Sequence, residues 1–134
     1  MNVACMTCYK TGKACSFNQD FDVIASSILE SDAIVFTTPV YWYSIPTQLK
    51  GVVDCLFSLV VGGKDIAGKK WGLISCCEEQ DMTVFDGVCK PLKRSAALMK
   101  WDFVGEVLIP GVLNEGEISK TDGCQQAAAL AHKF

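Results

Sequence analysis

The chain predicts an α/β domain, a parallel sheet of about three strands with helices on both faces in a three-layer sandwich. Three observations carry this. Residues 33–36, 71–77 and 103–109 are short apolar runs without polar alternation, as expected of parallel strands buried on both faces. Each run is followed by a stretch with apolar residues at spacings of three and four. The connections are short, so strand and helix alternate strictly, which favours right-handed crossovers.

In order, residues 1–17 show no periodicity, and Thr11, Gly12 and Lys13 read as a turn. Asn18 can cap a helix to about Leu29, with Asp20 and Asp22 at its positive end and Phe21, Ile24, Ala25 and Ile28 as its apolar stripe. The first strand, Ala33, Ile34, Val35 and Phe36, is expected to end at Thr37-Thr38-Pro39, because proline has no N–H for a ladder. A helix capped by Ser44 should carry Ile45, Leu49, Val52, Val53, Leu56, Phe57 and Val60 on one face, pair Lys50 with Asp54, and stop at Gly62-Gly63. Residues 71–77 form the second strand and run into the acidic loop Glu78-Glu79-Gln80-Asp81. In the helix over 84–100, Pro91 should introduce a kink or mark the true start. After the third strand and Pro110-Gly111, Ser119 and Asp122 form a capping-box-like pair for a last helix through Ala131.

One domain accommodates all 134 residues. Net charge is −3, and Lys90, Lys93 and Arg94, the densest basic group, read as a solvated helix face, so no nucleic-acid partner is expected. No apolar stretch approaches the roughly 20 residues of a membrane span, so no membrane partner is expected either. The start carries no signal-peptide pattern, and a cytoplasmic location is the expectation. Of eight cysteines, Cys55, Cys76, Cys77, Cys89 and Cys124 lie in apolar segments and read as buried free thiols. Cys5, Cys8 and Cys15 lie in a polar loop. His132, the single histidine, stands near the terminus, so no hydrolytic Ser/His/Asp or Cys/His set can be assembled.

Thr38, Pro39, Val40, Tyr41, Trp42, Tyr43 and Ser44, with Leu49, Lys50 and Asp54, resemble the NADPH-dependent FMN reductase family of the flavodoxin-like superfamily. Cys5, Cys8, Thr11, Gly12 and Cys15 resemble the cysteine loop of its iron–sulfur-flavoprotein members, and residues 103–107, 110–111 and 116–118 resemble its final strand and following turn. The resemblance implies an FMN-dependent NAD(P)H oxidoreductase that moves hydride from a nicotinamide to FMN and on to a small-molecule electron acceptor. It implies flavin contacts by Thr38, Pro39, Val40, Tyr41, Trp42, Tyr43 and Ser44, and by Ser75, Cys76 and Cys77 in a second loop. No catalytic side chain is expected, because the cofactor carries the redox chemistry.

Family members open with a strand, a phosphate-binding loop, a helix and a second strand that find no counterpart in residues 1–134, so the domain reads as N-terminally incomplete. Gly62-Gly63-Lys64 and Gly68-Lys69 follow a helix and read as a C-cap and a loop. Without the family's first strand, residues 33–36 become an apolar edge, and a homo-oligomer, at least a dimer, or a complementary chain is expected to cover it. Cys5 and Cys8 match the second and third positions of a four-cysteine cluster loop, with Asn2 near the first. Three thiolates do not complete that set, so an iron–sulfur cluster is not expected, and Cys5, Cys8 and Cys15 remain candidates for another metal. Two rival readings follow: a cofactor-free flavodoxin-like half that assembles through its edge, and a cysteine-loop metal or electron-transfer protein.

Overall fold

The computed structural model describes residues 5–17 and 20–134; Asn2 and the Asn18 cap lie outside them. The three expected strands form one parallel sheet in the order β1 (Ala33–Pro39), β2 (Lys70–Cys76), β3 (Asp102–Ile109). Helix α1 (Asp20–Glu30) precedes β1, α2 (Thr47–Cys55) and α3 (Phe57–Val61) lie between β1 and β2, α4 (Asp86–Leu98) between β2 and β3, and α5 (Gly123–Ala131) follows.

The strand pleat sorts side chains between two cores. Phe36 of β1 and Trp71 and Leu73 of β2 pack with Phe21 of α1, Val53 of α2, Leu59 of α3 and Leu92 of α4. Ile74 and Cys76 of β2 turn the other way, and with Val107 and Ile109 of β3 they pack on Leu130 of α5. Helices therefore cover both faces, as expected. On the first face Phe36 meets Trp71 edge-on at 6.1 Å and stacks with Trp101 at 6.4 Å, and the Trp101 indole N–H donates to the Ile66 carbonyl at 2.6 Å. A buried indole thus has its partner.

Several local expectations are corrected. Strand β1 continues through Thr37, Thr38 and Pro39. Pro39 is tolerated because it is the last rung, and the next N–H, that of Val40, donates to Cys76 O at 3.1 Å. The helix expected from Ser44 begins at Thr47, follows Pro46 without a side-chain cap, and is interrupted at Leu56. Pro91 neither starts nor ends α4 but lies inside it. It comes one turn in, where only the bond to the Gly87 carbonyl is lost. Ser119 and Asp122 do not make the expected pair. Ser119 Oγ donates to Gly116 O in a 3-10 turn over Glu117–Lys120, and Asp122 accepts from Gln126. Lys90, Lys93 and Arg94 do form an exposed helix face, on which Lys90 pairs with Asp86 and Lys93 with Glu106 at the surface.

None of the eight cysteines forms a disulfide. Cys55, Cys77 and Cys89 are buried, but Cys76 is half-buried and Cys124 exposed, against expectation. Cys124 follows the first residue of α5, and in that helix only Gly123 and Leu130 are buried. Gly62 and Gly63 do close α3, and their amides return to Ser58 O and Val60 O. Lys50 pairs with Asp54 as expected. Among the described residues strand β1 has one strand neighbour, β2, and its other edge pairs with no strand; Val35 is 44% exposed.

Candidate functional site

A cavity of about 600 Å³ opens at the carboxyl ends of the three strands. This is where the crevice of a parallel α/β sheet takes ligands, and the volume suits a small planar molecule. One wall comes from the segment after β1 (Pro39, Val40, Tyr41, Trp42, Tyr43), a second from the end of β2 and its loop (Cys76, Cys77, Glu78, Glu79), and a third from the loop after β3 (Val112, Leu113, Asn114, Glu115). Val84 completes the lining.

The first wall is a tight turn. Tyr41 N–H donates to Ser44 O and Ser44 N–H to Tyr41 O, both at 3.0 Å, so Trp42 and Tyr43 form a two-residue hairpin tip. Both tip residues have positive φ, 49° and 60°, as a type I′ turn requires. Glycine and asparagine usually fill those positions; bulky aromatics there carry backbone strain. Trp42 is 94% exposed, so burial of its ring does not offset that strain. Pairing within the turn leaves the amides of Trp42 and Tyr43 outside the hairpin bonds.

The turn rests on the start of α4 through a glycine. A Cβ at Gly87 would lie 1.7 Å from the Tyr43 carbonyl oxygen, so only a residue without a side chain permits this approach. Sequence reasoning passed over Gly87. Its signal was a glycine early in a helix with no turn to make.

The other walls are tied together. Cys77 N–H donates to Ile109 O at 3.1 Å, Val112 N–H to Cys77 O at 2.8 Å, and Gly111 N–H to Glu79 O at 3.1 Å. The Glu117 carboxylate accepts from the Leu113 and Asn114 amides at 3.0 and 2.9 Å. Bonds from Asn114 and Leu113 hold that carboxyl at about 2, well below its usual value of 4.5. The Glu79 carboxylate, first by hydrogen bonding and then by charge, raises the Tyr43 phenol. Burial raises the Cys77 thiol, whose Sγ donates to Glu79 O at 3.3 Å, so it stays protonated at neutral pH.

Of the residues singled out from sequence, Pro39, Val40, Tyr41, Trp42, Tyr43, Cys76 and Cys77 line the cavity. Thr38 and Ser75 do not line it; both are buried. Ser44 closes the turn rather than facing the cavity. Cys76 and Cys77 point to opposite faces, in the two different cores. The third wall was not foreseen as part of the site.

The loop of Cys5, Cys8 and Cys15 is anchored elsewhere. Tyr9 lies over Gly62 with Lys64 Nζ 4.3 Å from its ring centre, and the Ala14 amide donates to Asp22 at 2.7 Å. Among the described residues no three histidine, cysteine, aspartate or glutamate side chains converge on a metal-sized site. The metal candidates thus gain no support from the geometry.

Comparison with known proteins settles the family. A family model described as flavodoxin-like fold matches residues 4–134. The chain belongs to the flavodoxin-like family. This flavodoxin-like chain is 27% identical over 142 residues to an iron–sulfur flavoprotein of Archaeoglobus fulgidus, covering 97% of the chain and 60% of the relative. It therefore spans less than two-thirds of that relative's length. Among solved structures it resembles the Trp repressor binding protein of Bacillus subtilis, with TM-score 0.68, 21% identity, and 87% and 76% of the two chains covered. It also resembles general stress protein 14 of Treponema denticola, solved in complex with FMN, with TM-score 0.63, 18% identity, and 94% and 77% covered. The membership agrees with the parallel sheet and with a crevice at its strand ends. No helix among the described residues is long and apolar enough to cross a membrane.

Proposed function

We propose that the cavity seats the ring system of a flavin and that the protein is a flavin-dependent NAD(P)H oxidoreductase. The observation that carries this reading is the hairpin of Tyr41, Trp42 and Tyr43 standing over a 600 Å³ crevice at the strand ends. Aromatic faces suit a planar ring, and the free amides of Trp42 and Tyr43 suit its polar edge. The flavoprotein named among the relatives and the FMN complex among the structural neighbours support the same reading. When bound, FMN would accept hydride from the nicotinamide and pass electrons to a small acceptor. This chain's own residues orient the ring and limit water around it. Cys77, kept protonated, takes no nucleophilic part. We place the activity in the cytoplasm, a setting that suits eight cysteines of which none forms a disulfide.

The ring fits better than the phosphate. Among the described residues no lysine, arginine or histidine lines the cavity, so they supply no cationic partner of the kind a phosphate ordinarily finds. Titration with riboflavin and with FMN, followed by flavin fluorescence, tests both parts. Quenching by either flavin with matching affinities, and flavin-dependent consumption of NAD(P)H, are expected. If neither flavin is quenched, the ring-site reading fails.

A second reading concerns assembly, and the open edge of β1 favours it. The strand carries no charge, no bulge and no proline before its last residue, so it lacks the usual protections of an edge. We infer that a second copy of the chain pairs with it across a two-fold axis, where two uncharged strands face each other without repulsion. Light scattering over a dilution series should give a dimer mass, and Val35→Lys should give a monomer. A monomer mass for the unaltered chain throughout refutes it.

A further inference from the structure

We propose that the side-chain carbonyl of Asn114 accepts a hydrogen bond from the imide N–H on the flavin's polar edge, and that Glu117 holds Asn114 in the orientation this requires; the proposal rests on the ring-site reading above. Asn114 lines the cavity from the loop after β3 and, among the described residues, is the one carboxamide in that lining. The Glu117 carboxylate binds it twice. Oε2 accepts from the Asn114 backbone amide at 2.9 Å, and Oε1 accepts from its side-chain Nδ2 at 3.1 Å. In return the Glu117 amide donates to Asn114 O at 3.2 Å. Backbone and side chain of Asn114 are thus fixed by a single neighbour three residues on.

That neighbour decides which way the amide faces. An ionised carboxylate has no hydrogen to give, so only the NH2 end of Asn114 can meet it, and Oδ1 is directed elsewhere. The bonds from Asn114 and Leu113 hold the Glu117 carboxyl at about 2, so it stays ionised at neutral pH and the amide does not turn round. Among the described residues no hydrogen bond engages Oδ1. A neutral acceptor held ready in a cavity wall suits a ligand N–H, because no further ordering is needed when the two meet. The hairpin cannot do this work. The amides of Trp42 and Tyr43 are donors, which suit the ring's carbonyls and offer nothing to the N–H between them. Asn114 on the third wall supplies the missing acceptor, and Glu117 is its positioning residue.

The test uses riboflavin and 3-methylriboflavin, which share ring, charge and side chain and differ in that imide hydrogen, replaced in the second by a methyl group. Each is titrated into the full chain and followed by flavin fluorescence. The unaltered protein should bind riboflavin roughly tenfold more tightly, as expected of one hydrogen bond to an exposed neutral acceptor. Asn114→Ala leaves the Leu113 and Asn114 backbone amides to Glu117, so the wall keeps its clasp. It should bind the two flavins within about twofold of each other. Glu117→Gln presents both a carbonyl and an NH2 to Asn114, so the amide is free to face either way. It should cut the preference to about threefold while riboflavin still binds. Far-ultraviolet dichroism checks the fold of each variant. A purely structural role for either residue would weaken both flavins alike and leave their ratio near tenfold, which overturns the proposal. Equal binding of the two flavins by the unaltered chain also overturns it and leaves the ring site standing. If Asn114→Ala does not fold, the ratio in Glu117→Gln decides. If riboflavin itself is not bound, the ring-site reading fails first and takes this proposal with it.

Discussion

Gly87→Ala isolates the contact on which the aromatic turn depends. At most interior helix positions this change would help, because alanine is favoured over glycine by about 1 kcal/mol. Here the added Cβ would stand 1.7 Å from the Tyr43 carbonyl oxygen, while real Cβ contacts essentially never fall below 3.0 Å. The two must therefore separate by at least 1.3 Å. The oxygen is backbone, so no rotamer change relieves the clash, and either the turn lifts or the start of α4 shifts. Overpacking of this kind typically costs about 1–3 kcal/mol, which outweighs the gain in helix propensity. A displacement of about 1 Å at a positioning element can reduce function roughly a hundredfold, so riboflavin affinity should fall more steeply than stability. Urea denaturation and flavin titration of the same preparation measure the two effects. A variant stabilised by about 0.5–1 kcal/mol with unchanged flavin binding would show that the turn does not depend on Gly87, and the reasoning would be refuted.

Further outcomes follow from the same geometry. Trp42→Gly removes a bulky residue from φ 49° at little loss of buried area; stability should rise by about 1 kcal/mol in urea denaturation while flavin binding weakens. Glu117 has its folded pKa depressed, from 4.5 to about 2, so its contribution is fully present above 4.5 and is lost as pH falls toward 2. Glu117→Gln should therefore flatten the decline of stability across that window, measured by denaturation at stepped pH; an unchanged slope would remove the carboxylate from the loop's support. In native alkylation, exposed Cys5, whose thiol is lowered by its hydrogen bonds with Thr7, should react before Cys89, which burial raises to about 11. Mass spectrometry of a time course reads that order, and early labelling of Cys89 would contradict its burial.

The sheet was legible because residues 33–36, 71–77 and 103–109 stood out as apolar runs, but burial on both faces holds only for β2; in β1 burial alternates, leaving Val35 44% exposed, and Phe103 of β3 is 45% exposed. The position of the cavity followed from topology, since parallel strands gather their carboxyl ends on one side. Local chemistry at the turn misled. Ser44 before a periodic stretch has the composition of a helix cap, yet its amide and carbonyl are both taken by Tyr41. Nothing in Tyr-Trp-Tyr signals a type I′ turn, because its usual marker is glycine or asparagine. That conformation is imposed from outside, by the start of α4 approaching close enough to require Gly87. The third wall was hidden for a related reason. Val112, Leu113, Asn114 and Glu115 have the composition of an ordinary turn, and only long-range backbone bonds to the β2 loop make them part of a cavity.

Those bonds bear on how binding energy is divided in this site. A flavin ring presents a large apolar face and a polar edge, both of which the hairpin can meet; its phosphate presents charge, for which the lining offers carboxylates and, among the described residues, no cation. Affinity must then come from the ring, and extending the ligand with an anionic group should add nothing unless that group reaches beyond Glu78, Glu79 and Glu115. A second polypeptide on the β1 edge could alter this only if it brought cations to the same end of the sheet, because the edge runs the full length of the strand while the cavity opens at its carboxyl end. Equal affinity for riboflavin and FMN in the isolated chain, with a preference for FMN appearing only in a mixed assembly, would locate the phosphate's partner in the other chain. A preference for FMN in the isolated chain would place a cation within reach of the cavity that its lining does not contain.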